Sequence, residues 1–408
     1  MRRSLDFPNS PLSPVPMRSL LLIEFAVIER FHRAVEFPYL LGQARARGVP
    51  ARWVRFGVHA AAESQGGAGV PLSPEDAATA ATHMDALDAD HVIFSHRPSE
   101  ALVAALNRGR RDRRYHYTEF SSRGETVTEI MDGVAVERLT GGVDALPGAP
   151  TVDRDAALLE ADAPDFGFVP GNPAAAEIDV LPFLFIGEEC TWNRSFLGNP
   201  FYDGLELSGC FRTGGCAFCA RPENRTTSPV EPMERLRRQL GALSATCPTF
   251  GRRLRVRLVG EPVIRNIEAV AARILEADLP GADLLLDSRA DTLVRQAEAL
   301  RGALGALQGS DHRLHLCLIG IESFSSRELE RLNKGTDAAG NLAAVRTLLD
   351  LEAEHPRGFA FREHGGLSLI PFTPWTAPEE LDLGLAVLEL LDLAPIAGKH
   401  LDGRLRLY

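Results

Sequence analysis

Residues 209–219 read GCFRTGGCAFC, with three cysteines, three glycines and two phenylalanines in eleven positions. Thiolates gathered this closely repel one another, so a loop carrying Cys210, Cys216 and Cys219 needs a cation to hold them. A structural zinc closes with four protein ligands, and Cys190, Cys247 or a remote histidine is left to complete such a set. A [4Fe-4S] cluster also usually takes four cysteines, and with three of them one iron stays open for chemistry. Three unligated thiols in a glycine-rich turn are the remaining reading.

The chain around this loop has 408 residues, 45% of them hydrophobic, enough for two or three domains with sizeable cores. A formal charge of -11 argues against a polynucleotide substrate, whose affinity rests on clustered lysine and arginine. Six cysteines, half of them in one loop, do not make a secreted disulfide scaffold and point to a reducing, cytoplasmic compartment. No apolar run reaches about eighteen residues, so no membrane partner is expected. The opening MRRSLDFPNSPLSPVPM breaks any signal-peptide stretch with proline and serine, and residues 1–17 read as a flexible tail.

Upstream of the cysteines, SLLLIEFAVI (Ser19–Ile28) is a nearly continuous apolar run, the pattern of a strand buried on both faces. EFPYLLGQARARG supplies a helix stopping at Gly48, and VPARWVRFG a second strand. A helix capped by Ser73, the strand HVIFS and the helix SEALVAALNRG continue the series. This alternation predicts an α/β, doubly wound domain over residues 18–122, with ligands at the carboxyl ends of its strands. Residues 123–200 read as a connector containing a hairpin that turns at Asp132-Gly133. From 201 to 408 the strands GLELSG, RLRVRLVG, ADLLLDS, RLHLCLIG, GLSLIPF and GRLRLY alternate with helices, which predicts a partial (βα)6 barrel. The chain stops inside the last of these, so the fold ends there or an extension follows.

Four motifs in order carry a resemblance to a known family. The cysteine loop follows the first expected barrel strand, has Phe218 before its last cysteine, and resembles the cluster loop of the radical S-adenosylmethionine (SAM) superfamily. Its spacing is C-x5-C-x2-C where the superfamily usually has C-x3-C-x2-C. LVGEPV is similar to the Gly-Gly-Glu motif, with Val259 in place of the first glycine. The resemblance implies that Gly260 and Glu261 hold the SAM amino group. LLLDSRADTL resembles the strand that turns an arginine, here Arg289, toward the cofactor. IGIESFSSRELERLNKGTDAAGNLAAVRTL is similar to the Gly-x-Glu-Ser and Asn-Lys-Gly-Thr segment of cobalamin-type members, which implies Glu322 and Ser323 near the SAM ribose.

The resemblance further implies a [4Fe-4S] cluster on Cys210, Cys216 and Cys219, reductive cleavage of SAM to a 5'-deoxyadenosyl radical, and an electron donor such as flavodoxin or ferredoxin. FPYLLGQARARGVPARWVRF resembles the first helix and second strand of a cobalamin-binding domain, although no Asp-x-His-x-x-Gly motif supplies a lower histidine ligand. A cobalamin-dependent methyltransferase acting on a small metabolite or peptide is the implied activity. A radical SAM oxidoreductase or rearrangement enzyme without methyl transfer, and a non-catalytic zinc-stapled binding module, are the alternatives.

Other residues have plainer readings. Ser325 with Glu328, and Thr376 with Glu379, have capping-box spacing. Glu261, ahead of Pro262, also suits a helix first turn. Cys317 sits in a strand pattern as a small hydrophobe, and His315 and His364 have no partners at ligand spacing. In RLRVRLVG, Leu254, Val256 and Leu258 alternate with Arg255 and Arg257, so in a barrel the arginines turn inward. There they should meet an anion: the SAM carboxylate, a substrate carboxylate, or an internal acid such as Asp287. An exposed edge strand would instead leave them in water.

Overall fold

The structure, a computed structural model, describes residues 16–27, 32–34, 36–59, 72–108, 112–118, 128–131, 133–139, 143–150, 163–178, 180–187, 190, 192–206, 214–219, 230–247, 253–362, 366–370 and 372–393. It is an α/β protein built on parallel sheets. Two compact units divide it: Met1–Pro182 with Ala245–Phe250, and Phe183–Ser244 with Gly251–Tyr408.

In the first unit the apolar run forms β1 (Leu20–Val27), followed by β2 (His32–Ala34) and β3 (Ala51–Val58). Next come β4 (His91–Phe94), β5 (Arg114–Tyr117), β6 (Thr128–Met131), β7 (Val134–Arg138) and β8 (Val169–Pro170). All but β2, which pairs with Val180–Pro182, form one sheet in the order β6-β7-β5-β4-β1-β3-β8, parallel except for the β6–β7 hairpin. β1 is central and buried on both faces. Leu21, Ile23 and Phe25 pack with Val54, Phe56, Val92 and Phe94 and with the helices Pro74–Leu87 and Glu100–Leu106. Glu24, a charge inside the apolar run, accepts from Trp53 Nε1 at 3.0 Å and pairs with the buried Arg55 at 3.3 Å. Ser73 caps its helix as the sequence predicts, accepting from the Asp76 N–H, and Ser99, not singled out from sequence, caps the next by accepting from the Leu102 N–H.

The second unit contains Phe183–Phe185, the end of β9 (Val180–Phe185), then β10 (Leu254–Val259), β11 (Ala282–Arg289) and β12 (Arg313–Glu322). These pair in parallel and in chain order, and β13 (Phe359–Ala360) and β14 (Leu367–Leu369) both lie along β12. One expected strand moves. Gly204–Glu206 of GLELSG are turn and coil, and Val180–Phe185, read from sequence as connector, is the strand beside β10. The physical reason is pattern: VLPFLF is the unbroken apolar run that a two-sided parallel strand requires, whereas Leu205 is left 56% exposed. GRLRLY and His364 lie outside the described residues.

Ser325 caps its helix, accepting from the Glu328 N–H, whereas in TAPEEL the cap falls one residue later than expected. Glu380 accepts from the Ala377 N–H, and Thr376 Oγ1 takes the N–H of Thr373. The helix Pro378–Leu390 therefore starts from Ala377.

His91 and His116, on neighbouring strands of the first unit, are buried with their rings stacked 5.3 Å apart and Nδ1 and Nε2 separated by 3.1 Å. Burial pushes the His116 imidazole down from 6.5 to about 3, and His91 and Arg114 push the same way. Its folded value lies below its unfolded one, so the neutral pair stabilises the fold fully above 6.5 and less as pH falls toward about 3. Denaturant titrations should show this unit losing up to about 1.4 kcal/mol per pH unit through that window. His116→Gln should flatten the slope, and an unchanged slope would refute the assignment.

Candidate functional site

The site in the second unit begins with the phase of three strands. On β10, Leu254, Val256 and Leu258 are buried, while Arg255 and Arg257 occupy the opposite face. β11 follows with Leu284 and Leu286 on the apolar face and Asp283, Asp287 and Arg289 on the charged one. β12 starts in step, since Leu314 and Leu316 are apolar-facing and Arg313 and His315 are not, but the register then slips. Leu286 pairs with Leu316 and Asp287 with Leu318, leaving Cys317 as an extra, bulged residue. Beyond it the parity reverses: Ile319 and Ile321 take the apolar face, and Gly320 and Glu322 share the face of Arg289. Without that one residue Gly320 would not lie opposite Arg289 on its face.

Four described residues in and around the cysteine motif are held by Asn333. Its side-chain amide, fully buried, donates to the carbonyls of Arg194 at 2.8 Å and Gly215 at 2.7 Å. Its Oδ1 accepts from Asn199, and its carbonyl accepts from Trp192 Nε1 at 2.9 Å. The backbone bond from the Ala217 N–H to Leu332 O, 2.9 Å, docks the loop a second time. Gly335, at φ +73°, lies against the Trp192 ring, where a Cβ would overlap it. The run LNKGT is thus the template on which Gly214–Cys219 lies.

Cys216 is buried and Cys219 partly so; Cys210 lies outside the described residues. Arg289 Nη1 sits 3.7 Å from Cys216 Sγ, and its Nη2 donates to Lys334 O at 2.7 Å, while its Nε is held by Asp291. The Trp192 ring lies 4.9 Å under the same guanidinium. Burial pushes the Cys216 thiol up, Lys334 and Arg289 pull it down, and Cys190 raises it again. Lys334 pairs with Glu322 at 2.8 Å, both groups buried, and stands 5.5 Å over the Phe218 ring. The second Glu322 oxygen accepts from Ser368 at 2.8 Å. Glu322 itself has φ +65°, a left-handed backbone held by the Ile370 N–H on its carbonyl.

The other sequence-selected residues divide around this group. Gly260 ends β10 at φ +133°, a backbone that favours glycine, and a Cβ there would crowd Gly187. Glu261 opens a short helix and pairs with Arg265 at 2.6 Å. Ser323 accepts from the Ser325 N–H at 3.0 Å. Arg257 pairs with Asp287, the internal acid named from sequence, and Arg255 approaches Asp283 at 3.9 Å. Cys317 is buried as its strand pattern predicts; burial pushes its thiol up to about 12, so it stays neutral, and the S–H faces Leu286 O at 3.4 Å. Sequence reasoning passed over Asn333, Lys334, Trp192 and Asn199. The signal for the first two was the quoted LNKGT run; the latter two sat in or beside the stretch read as connector.

In the first unit, β3 and β4 flank β1 on opposite sides, so the strand order reverses at the carboxyl ends of β1 and β4, where open α/β sheets bind ligands. Ser95 and His96 stand there, with the Ser95 hydroxyl accepting from the Phe25 N–H at 2.9 Å and 3.0 Å from His96 Nδ1. Burial raises the Glu36 carboxyl, against the lowering effect of a hydrogen bond from Thr118, the residue that follows β5.

No family model and no curated protein matches the chain. Solved structures do. The cobalamin-dependent S-adenosylmethionine radical enzyme OxsB, with aqua-cobalamin and S-adenosylmethionine bound, superposes with a TM-score of 0.53 at 13% identity, covering 94% of this chain and 56% of that one. Its apo, selenomethionine-labelled form gives 0.52 and 13%, covering 91% and 52%. The chain therefore resembles a cobalamin-dependent radical SAM enzyme in fold, and spans about half the length of the structures it matches.

Asn333→Ala should strip partners from two carbonyls and the Asn199 amide, costing the second unit about 2–4 kcal/mol, and speed hydrogen exchange at Ala217 and Cys219. Ser368→Ala, which removes one hydrogen bond, should cost about 1 kcal/mol and leave those amides protected. Equal effects of the two would dismiss the template role.

Proposed function

We propose that this protein is a radical SAM enzyme, with a doubly wound cobalamin-binding unit followed by a partial barrel, and that it transfers a methyl group to a small metabolite or peptide. The observation that carries this reading is the buried Cys216 thiol with Arg289 3.7 Å from its sulfur and Lys334 beside it. Burial keeps the Cys216 thiol above its usual value in spite of these two cations, so a bound metal would have to make it a thiolate, and Arg289 and Lys334 would then offset part of that charge. The sequential parallel order of β9 to β12 and the central position of β1 support the two halves of the architecture.

Cys210, Cys216 and Cys219 would hold a [4Fe-4S] cluster, and the strand ends beside Ser95 and His96 would take cobalamin. When bound, the cluster supplies the electron that splits SAM and the cobalamin carries the methyl group. The chain's own part is placement. Gly260 and Glu261 receive the SAM amino group, and Arg289 and Lys334 balance the charge of the thiolates. Glu322, its orientation fixed by Lys334 and Ser368, and Ser323 receive the ribose. Phe218 and Trp192 cover the two cations and exclude water from them. A flavodoxin or ferredoxin in the same cytoplasmic compartment would supply electrons. Among the described residues no helix is long and apolar enough to cross a membrane.

One observation favours a second reading. Cys190 acts electrostatically on both Cys216 and Arg289, which makes it the candidate fourth ligand of a zinc-stapled module, although among the described residues no three His, Cys, Asp or Glu side chains are gathered closely enough to hold a metal. Oxygen-free reconstitution with iron and sulfide, then SAM, dithionite and cobalamin, separates the readings. About four irons per chain, 5'-deoxyadenosine, S-adenosylhomocysteine and retained cobalt are expected, with iron lost in Cys216→Ala and kept in Cys190→Ala. Deoxyadenosine without S-adenosylhomocysteine or cobalt would transfer the reading to an oxidoreductase or rearrangement enzyme. One zinc per chain, lost in Cys190→Ala, would end it.

A further inference from the structure

Where β12 ends, the backbone takes a form that a glutamate does not adopt unaided. Glu322 sits at φ +65°, and the Ser323 N–H donates back to Ile321 O at 2.8 Å, the three-residue pattern of a γ-turn of the rare, strained hand. Such a conformation persists only where its surroundings over-determine it, and it concentrates at functional positions. Two groups outside the turn hold this one. The Ile370 N–H donates to the Glu322 carbonyl at 2.8 Å. The side-chain amide of Asn341, fully buried, donates to Ile321 O at 2.8 Å and to Ser323 O at 2.7 Å, one carbonyl on each side of the glutamate.

We propose that Asn341 is a positioning residue, which clamps this turn so that the Glu322 carboxylate is presented to the ribose of SAM; that the ligand is SAM rests on the radical SAM reading above.

The amide has a rigid base. Asn341 lies in the first turns of the helix Ala338–Glu354, whose start is set by Asp337 accepting from the Gly340 N–H at 2.8 Å. Ala344, Val345 and Leu348 of that helix are fully buried, so the amide cannot retreat from the turn. Its bonding is also one-sided. Both amide hydrogens are committed to the turn, while Oδ1 is buried with no hydrogen-bond partner among the described residues. A buried acceptor left unpaired counts against stability, so the residue is explained by what its two donors hold.

The carboxylate it orients has capacity for a ligand. Lys334 donates to one oxygen and Ser368 to the other, each at 2.8 Å, which uses two of about four lone-pair positions. A right-handed φ at Glu322 would rotate its Cβ and carry the carboxylate away from both partners. There is little slack nearby: a Cβ on Gly320 would meet Lys334 Nζ at 2.8 Å and Glu322 Oε1 at 3.1 Å. Two asparagines on the single run 333–341 thus divide the support of the site. Asn333 holds the cysteine loop, and Asn341 holds the carboxylate.

The iron-reconstituted full chain, titrated with SAM by calorimetry and followed by hydrogen exchange, tests this. Asn341→Ala should keep about four irons per chain yet weaken SAM binding about tenfold or more. It should also speed exchange at the Ser323 and Ile370 amides while Ala217, docked on Leu332, stays protected. Asn341→Ser keeps one donor and should fall between this variant and the wild type, which decides the matter where Asn341→Ala does not fold. Combining Asn341→Ala with Glu322→Gln should weaken binding no further than Glu322→Gln alone. Leu348→Ala, a cavity on the buried face of the same helix, should lower the melting temperature but leave SAM affinity unchanged. Unchanged affinity in the folded Asn341 variants, additive losses with Glu322→Gln, or an equal loss in Leu348→Ala would overturn the inference. A chain that carries iron and binds SAM equally well without Asn341 loses this inference alone. A wild-type chain that takes up only zinc and binds no SAM overturns the radical SAM reading and the ribose role with it, while exchange at Ser323 and Ile370 still decides whether Asn341 clamps the turn.

Discussion

The buried amide of Asn333 is the constraint on which the candidate site depends. A single side chain closes the carbonyls of Arg194 and Gly215, receives the Asn199 amide, and by its own carbonyl fixes Trp192. Backbone polar groups with no water to turn to must find partners, and the loop's own bonds, such as Gly215 N–H to Arg194 O and Cys219 N–H to Cys216 O, leave the Gly215 carbonyl to Asn333. Asn333 takes a left-handed conformation, at φ 50°, that asparagine tolerates better than most residues. Its neighbours then fall into place: Lys334 turns toward Glu322 and Phe218, and Gly335 makes room for the indole.

Electrostatics around this scaffold is arranged by adjacency along the chain. Arg289 reaches a cysteine sulfur with one nitrogen, the Lys334 carbonyl with another and Asp291 with a third, so it cannot rotate away from the thiol. The Glu322–Lys334 pair is buried, a geometry that costs desolvation, and it is kept because both Glu322 oxygens have partners. Such a pair holds orientation more than it adds stability. That is the property a positioned carboxylate needs.

Much of the architecture was legible in residue patterns. The apolar run at Leu20–Val27 announced a strand buried on both faces, the serine caps at Ser73 and Ser325 marked helix starts, and the alternation in RLRVRLVG placed Arg255 and Arg257 on one face. Periodicity is local, and it survives folding wherever burial alone sets it. It misjudged GLELSG because alternating leucines in a connector imitate a strand, and it passed over VLPFLF because that run sits among proline and glycine. Asn199 and Trp192 had no local signal, since their partners lie more than a hundred residues away.

Composition, cap chemistry and the cysteine spacing were thus settled by the order of residues, because each depends on neighbours a few positions apart. The bulge at Cys317 was not. RLHLCLIGIE alternates too ambiguously to reveal that one residue drops out of register, and the slip exists only when β11 offers Leu286 and Asp287 as partners. Yet that slip, with the second register shift against β14 between Gly320 and Glu322 and the left-handed backbone of Glu322, decides whether Glu322 joins Arg289 and Cys216 or faces the apolar side. Strand phase is a property of a pair of chains, set by hydrogen bonds between segments distant in sequence, and only the folded sheet could choose it.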